Sequence, residues 1–503
     1  MPARFSRRAA LTALVAVFVA ALALPACAPS PSQQQQQQQK QQARAPQALV
    51  GGTAIAPADG ERIENATVLL DGDRIAAVGP SDAVDVPAGA DRIDVSGRYV
   101  LPGLIDAHVH FFQSGGLYTR PDALDLRFAK SYEQERTDIK ARLPETLRRY
   151  LAGGITGVVD VGGPRWTLDV RETARQMAPR APSVVVAGPL ISSVARPALA
   201  GWEGAPPIRK VETPAEAREE VRRQAEAGVN LIKLWYIVGP QETPEAFRPV
   251  AEAAVVEADA AGLPVAAHAT EQATARAAVD AGADVLVHSI FDQRVDGAFV
   301  RLLEENDVIY IPTIMVRERY GEVFAGAYAP TEAAERLAHP DVLASLDDLG
   351  NEVPLDRLPQ RVRALQRRDL AAEAIPPSRT AMQNLDTLHA AGVTIAAGTD
   401  AGNIGTPHGP SLVYEMRLMR RAGLSPMAVL RAATRGGAQL IHRAGRDDAR
   451  RLGRLEAGAP ADLVVLRENP LDDLTHAATA THVIRGGRVL DTEALLPASD
   501  DEN

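Results

Sequence analysis

Short apolar runs alternate with Ala/Glu/Arg-rich stretches through the middle of the chain, a pattern that predicts βα units and a parallel sheet. Eight runs read as strands: Leu104 to His110, Gly157 to Val161, Ser183 to Ala187, Leu231 to Tyr236, Val265 to His268, Val285 to His288, Val308 to Ile311 and Thr394 to Thr399. The stretches between them, such as Ala215 to Ala227 and Glu271 to Ala281, have helical composition and glycine stops. Eight such units predict an α/β fold, a closed (β/α)8 barrel of the TIM type, which needs about 250 residues or more. Both ends of the chain carry a different pattern. Thr67 to Leu70, the Asp71-Gly72-Asp73 turn and Arg74 to Val78 read as a β-hairpin. Comparable strands return at Asp462 to Leu466, Thr481 to Ile484 and Val489-Leu490. The expected organisation is a small β-sandwich domain built from residues 48–102 and 446–492, with the barrel, 103–445, inserted between its halves and a disordered tail over 493–503. Residues 313–381 form an insertion far longer than the usual βα loop of about two to six residues. Its pattern fits a lid over the barrel mouth and a peripheral helical decoration equally well.

Composition narrows the picture. With 46% hydrophobic and 23% charged residues, the 503-residue chain can bury a large core. A net charge of −10 argues against a nucleic-acid partner, which would call for a basic face. The single cysteine, Cys27, excludes a disulfide framework and a thiolate metal site. It follows Leu24-Pro25-Ala26, an apolar stretch and a basic start, and this order resembles a bacterial lipoprotein signal over residues 1–26 with Cys27 as the lipidated residue. Ser6-Arg7-Arg8 also resembles a twin-arginine export signal. Polyglutamine-rich residues 27–47 then read as a tether. The expected location is outside the cytoplasm, anchored to a membrane by lipid.

Six side chains at the ends of the apolar runs are candidate metal ligands: His108, His110, Lys233, His268, His288 and Asp400. In a parallel barrel, catalytic groups gather where the strands end. His108 and His110, two apart on one strand, point to one face and can grip one cation. Lys233 lies in Leu231-Ile232-Lys233-Leu234-Trp235, where a free ammonium is costly to bury. Only 5 of the 54 basic residues are lysines, so a lysine kept here implies need for a primary amine, which can take up CO₂ as a carbamate. The other reading is a lysine snorkelling to the barrel mouth. His339, His389, His442, His476 and His482 lack this context and read as surface or packing groups. His408, in the loop after the last strand, is a candidate substrate contact. Tyr236 is a candidate donor to a tetrahedral oxyanion, or else a packed aromatic.

Leu101-Pro102-Gly103-Leu104-Ile105-Asp106-Ala107-His108-Val109-His110, together with Ala397-Gly398-Thr399-Asp400, resembles the signature of the amidohydrolase superfamily. The resemblance runs from Ala48 to Thr492 and is closest to the branch holding Xaa-Pro dipeptidases and imidazolonepropionase-like enzymes. It implies that His108, His110 and Asp400 hold one divalent metal, that His268 and His288 hold a second, and that carboxylated Lys233 bridges them. Nitrogen and oxygen ligands without sulfur suit Zn²⁺, and also Mn²⁺, Co²⁺ or Fe²⁺. The implied reaction is hydrolysis of an amide or peptide C–N bond in a small molecule, with Asp400 as the proton shuttle. Where the peptidases carry a glycine-rich stretch after the lysine, this chain reads Leu234-Trp235-Tyr236-Ile237-Val238-Gly239, a departure that bears on dipeptide specificity. His268-Ala269-Thr270-Glu271 supports a rival, a mononuclear deaminase or cyclic-amide hydrolase using Glu271. A non-catalytic binding lipoprotein is the remaining alternative, and a homo-oligomer is compatible with any of these.

Overall fold

The computed structural model describes residues 45–199, 206–239, 243–366, 378–445 and 450–497. The export signal, Cys27 and most of the tether lie outside the described residues. Among the described residues no helix is long and apolar enough to cross a membrane.

Strands β1 (Gln47–Ala56), β2 (Glu61–Asp71), β3 (Arg74–Pro80), β4 (Asp91–Asp94) and β5 (Tyr99–Pro102) come first. Gly103 then turns the chain into the barrel. A Cβ at that position would lie 2.1 Å from Thr156 Oγ1, so only glycine lets the two segments approach so closely.

The barrel strands are β6 (Leu104–Val109), β7 (Ile155–Asp160), β8 (Ser183–Val186), β11 (Ile232–Trp235), β12 (Val265–His268), β13 (Val285–Val287), β14 (Ile309–Ile311) and β15 (Thr394–Ile395). Two short strands, β9 (Leu190–Ser192) and β10 (Ile208–Lys210), intervene between β8 and β11. All neighbours around the ring pair in parallel, and the Ala187–Leu231 bridge joins β8 to β11. The ring closes where Ala107 N donates to Ala397 O at 2.9 Å and Val109 bridges Ala401. Small and branched residues, among them Ala107, Val159, Val185, Leu231, Ala266, Val285 and Ile309, fill a core beneath the mouth. Parallel strands buried on both faces read as unbroken apolar runs, and that is why they stood out in the sequence.

The chain returns through β16 (Leu463–Leu466), β17 (Ala480–Arg485) and β18 (Arg488–Asp491). β16 pairs antiparallel with β5, with Leu463 opposite Pro102 and Val465 opposite Val100. The two chain ends thus share one sheet, ordered β18-β17-β16-β5-β1-β2-β3 with β4 beside β1. Its core is Leu49, Val68, Leu70, Ile75, Val100, Leu463, Val465 and Ile484.

The tail expected from residue 493 needs correction at its start. Glu493–Leu495 form a 3-10 turn, and Leu495 is buried with Leu151, Leu337 and Val483. The sequence is polar there on average, but Leu495, with Leu496 partly buried beside it, meets an apolar surface made by distant segments.

Residues 315–366 of the insertion hold helices Met315–Ala325, Glu332–Leu337, Pro340–Ser345 and Gln360–Gln366. Val323, Leu346, Leu349, Leu358 and Val362 pack with Leu117, Leu124 and Leu126 from the loop after β6 and with Ile404 from the loop after β15. The insertion is therefore built onto the loops of the barrel mouth, and its first helix forms part of the cavity wall.

Candidate active site

The six candidate ligands meet at the C-terminal mouth of the barrel. His108 Nε2 lies 3.3 Å and His110 Nε2 lies 3.2 Å from Asp400 Oδ1. His288 Nδ1 is 3.9 Å from Asp400 Oδ2, and the rings of His268 and His288 are 4.3 Å apart. His108, His288 and Asp400 offer atoms that all lie within 4.8 Å of one another. Lys233, on β11, lines the same cavity with only 1% of its surface exposed.

Local backbone features aim these groups. The register of β6 against β7 shifts between Asp106 and Val109, an irregularity of the kind that re-aims side chains beside functional sites. Asp106 is fully buried and accepts from Thr399 Oγ1 at 2.7 Å, from Thr399 N at 3.1 Å and from His108 N at 3.3 Å. It ties the His-x-His strand to the segment carrying Asp400. Desolvation raises the Asp106 carboxyl to about 7. Sequence reasoning quoted Asp106 within the motif but gave it no role; an acid inside an apolar strand was the available signal.

His288 (φ 80°), Thr313 (φ 42°) and Asp400 (φ 55°) all occupy the left-handed region, as do only two other non-glycine residues, Asn65 and Asp307, among those described. Such strain costs on the order of 1–3 kcal/mol per residue and clusters at functional sites. Asp400 is held in it by its own N–H, which donates to His108 O at 2.7 Å, and by Thr406 Oγ1 and Asn403 Nδ2, which donate to its carbonyl at 3.1 and 3.3 Å.

The electrostatics favour neutral imidazoles around an anionic carboxylate. Burial lowers His108 to about 3 and holds His268 and His288 well below their ordinary value. Burial also lowers Lys233 to about 7, toward the neutral amine. For Asp400 burial pushes upward, but His108 and His110 outweigh it and keep the carboxyl well below the usual range.

His110 Nδ1 lies 2.6 Å from Gly162 O. A carbonyl only accepts, so Nδ1 donates to it and Nε2 is the nitrogen turned toward Asp400 Oδ1. Both ring nitrogens of His108, Lys233 Nζ and Asp400 Oδ1 are buried and have no hydrogen-bond partner. Buried polar groups are seldom left so. A divalent cation would satisfy these unpartnered atoms, so the donor set fits a metal.

The cavity above the cluster measures about 460 Å³. Phe112, Leu190, Leu199, Ile208, Trp235 and Phe291 supply its apolar wall. Three expected contacts are corrected here. Tyr236 is buried and donates to Pro244 O while its ring packs on Phe247, so its neighbour Trp235 faces the cavity instead. His408 has Tyr150 Oη 2.8 Å from Nδ1 and Gln113 O 2.8 Å from Nε2, and it stacks on Phe111. With both nitrogens engaged, it braces the mouth and does not line the cavity. Glu271 is exposed at the start of helix Gln272–Asp280, and Thr270 lines the cavity in its place. Strand parity places Tyr236 with Leu234 on the outer face, and the turn after β12 swings Glu271 toward solvent.

A family model described as the amidohydrolase family matches residues 99–490. Ochratoxinase from Aspergillus niger is 25% identical over 485 residues, covering 89% of this chain and 87% of that protein. Imidazolonepropionase from Caulobacter vibrioides is 32% identical over 103 residues, or 20% of this chain and 25% of that protein. Among solved structures, A. niger ochratoxinase superposes with a TM-score of 0.65 at 23% identity, covering 90% of this chain and 96% of that one. A Xaa-Pro dipeptidase with bound methionine in its active site gives 0.64 at 22% identity, covering 89% and 100%.

Proposed function

The chain belongs to the amidohydrolase family and is a hydrolase of carbon–nitrogen bonds; from that premise we propose that it is a binuclear metal enzyme cleaving amide bonds in small molecules. The observation that carries the reading is the cluster of buried atoms without a hydrogen-bond partner, both ring nitrogens of His108, Lys233 Nζ and Asp400 Oδ1, at the mouth of the barrel. His108, His110 and Asp400 would hold one divalent cation, zinc first among the candidates, and His268 with His288 the other. When bound, such cations supply hydroxide at neutral pH and polarise the scissile carbonyl.

The chain's own groups do the rest. The Lys233 amine would add CO₂ with loss of a proton, and the resulting carbamate would supply anionic oxygen donors to the metal site. Its burial without a hydrogen-bond partner supports this modification. Asp400 accepts the proton of the attacking water and delivers it to the leaving nitrogen, first base and then acid. The apolar wall excludes water from that transfer. The strained turn at Asp400 keeps its carboxylate among the imidazoles while the proton is in transit.

The test is metal analysis joined to turnover. Zinc-loaded protein is expected to carry two equivalents per chain, to show a carbamate at Lys233, and to hydrolyse N-acyl amino acids. Asp400→Asn should abolish turnover. One equivalent of metal with unmodified lysine would sink the binuclear version, and full activity in Asp400→Asn would remove the proton shuttle.

The same reading places the enzyme outside the cytoplasm on a lipid anchor at Cys27, supported by Leu24-Pro25-Ala26-Cys27 behind an apolar, basic-ended stretch. Cys27→Ala should release the protein from the membrane fraction; unchanged partition would refute the anchor.

A further inference from the structure

We propose that Arg120 is the residue that binds a carboxylate on the substrate, so that the enzyme's substrates are amides with an anionic group on one side of the scissile bond and a bulky apolar group on the other. This rests on the amide-hydrolase reading above and deepens it.

A guanidinium has five N–H donors. Arg120 Nε donates to Asp122 Oδ1 at 2.7 Å and Nη2 donates to Asp122 Oδ2 at 2.8 Å, the two-pronged grip that fixes the plane of the group. Nη1 donates to Asn403 Oδ1. Tyr320 Oη, from the first helix of the insertion, donates to the same oxygen at 2.8 Å. Three donors are therefore engaged, and two N–H groups remain without an acceptor among the described residues. Arg120 lines the same cavity as the metal ligands, so its two remaining donors belong to a group already held in orientation there.

Three separate segments build this mount: the loop after β6, the insertion helix and the loop after β15. Asn403 is 2% exposed and also donates to the Asp400 carbonyl, so the anion receptor and the proton-shuttling carboxylate are joined through one side chain. A rigid donor pair at a fixed distance from the reacting atoms is what positioning requires.

The charge around the cavity agrees. Among the described residues Asp400 is the one acid lining it, and that group is committed to the histidine cluster, while Asp122 is held by Arg120. Arg317 adds a second cation at the wall, 5.2 Å over the Phe291 ring. On the β9–β10 side, Leu190, Leu199, Ile208 and Trp235 form the apolar half that would take the other flank of the substrate.

The experiment compares N-benzoyl-phenylalanine with N-benzoyl-phenylalaninamide on the zinc-loaded full chain, following benzoate release. Wild type should favour the carboxylate by about 30-fold in kcat/KM, the scale of a charge-assisted hydrogen-bond pair. In Arg120→Met that ratio should fall toward unity, and Arg120→Lys, which keeps charge without the fork, should lie between. Equal rates for the two substrates in wild type would overturn the proposal, as would an equal loss on both in Arg120→Met. Calorimetric binding of phenylalanine against phenylalaninamide gives a readout without turnover, and decides the matter if Arg120→Met fails to fold. A protein that hydrolyses neither compound, yet binds phenylalanine at least tenfold more tightly than its amide, would refute the hydrolase reading and leave this one standing. No preference in either measurement refutes both.

Discussion

Replacing Gly398 by alanine should damage catalysis far more than stability. The added Cβ would lie 2.6 Å from Ile311 Cγ2, 2.8 Å from His108 Cβ and 3.0 Å from His108 N. Carbon atoms rest at about 3.5–4.0 Å, so the 398 segment must draw back from β6 by roughly 0.7 Å. The hydrogen bond from Asp400 N to His108 O, 2.7 Å long, spans the same gap. The shift therefore falls on His108 and Asp400 together. Overpacking of this kind costs about 1–3 kcal/mol. At roughly 2 cal/mol/K of unfolding entropy per residue, a domain this large would lose only about 1–3 °C in Tm. A displacement approaching 1 Å at reacting groups costs about 100-fold in rate. The assay is kcat/KM on an N-acyl amino acid beside a thermal melt, with Gly89→Ala as the control, since nothing lies within 4 Å of the Cβ it would gain. A Gly398→Ala enzyme within threefold of wild type would refute the reasoning, because the geometry leaves no room for an undisturbed site.

Lys233→Ala should lose activity by at least about 100-fold and bind less metal, read by turnover and elemental analysis; Lys233→Arg should not rescue it, because a guanidinium forms no carbamate. Glu271→Gln should stay within about twofold of wild type in kcat/KM, as befits an exposed cap residue. Glu415 is fully buried, and desolvation raises its carboxyl to about 8 although Ile314 N and Met315 N donate to it at 2.8 and 2.9 Å. The folded protein then keeps this proton to higher pH than the unfolded chain. The stabilising contribution is complete below about 4.5 and is lost as pH rises through about 8, on the order of 5 kcal/mol in all. Urea midpoints between pH 5 and pH 9 should fall with pH in wild type, with a shallower slope in Glu415→Gln; parallel slopes would count against it. Chelation should lower Tm, and zinc should restore it, since a ligand that binds only the folded state adds stability by mass action.

The barrel strands were legible because each is buried on both faces and therefore reads as an apolar run. The six clustered side chains were legible because each interrupts or ends such a run, where a polar group has a cost that something must offset. Tyr236, His408 and Glu271 followed weaker rules: proximity in sequence to a ligand, a place in a mouth loop, and a His-x-x-Glu resemblance. One residue past Trp235 is the opposite face of the strand, so Tyr236 went into the core. His408 is in a mouth loop, but Tyr150 and Gln113, distant in sequence, claim both of its nitrogens. Arg120 was invisible for a converse reason. One arginine among so many carries no signal, and only the convergence of Asp122, Asn403 and Tyr320 sets it apart. Cavity-wall residues come from loops whose paths depend on contacts between segments, and local pattern does not encode those.

The cluster is a place where the fold works against itself. His288, Thr313 and Asp400 take backbone conformations that their side chains disfavour, and both ring nitrogens of His108 and Asp400 Oδ1 are buried without a hydrogen-bond partner. Each feature alone raises the energy of the folded chain. Together they share one consequence, which is that nitrogen and oxygen donors from five segments meet at one mouth of the barrel. Hydrogen bonds elsewhere hold them in that state: Asp106 clamps β6 to Thr399, and Gly162 fixes the His110 tautomer. A structural histidine would have been satisfied by turning one nitrogen to a donor, as His408 is satisfied by Tyr150. Nothing of the kind reaches His108 among the described residues. Strain and unmet acceptors concentrated at one mouth, with their supports fully bonded, are the mark of a site shaped for what it binds rather than for its own stability.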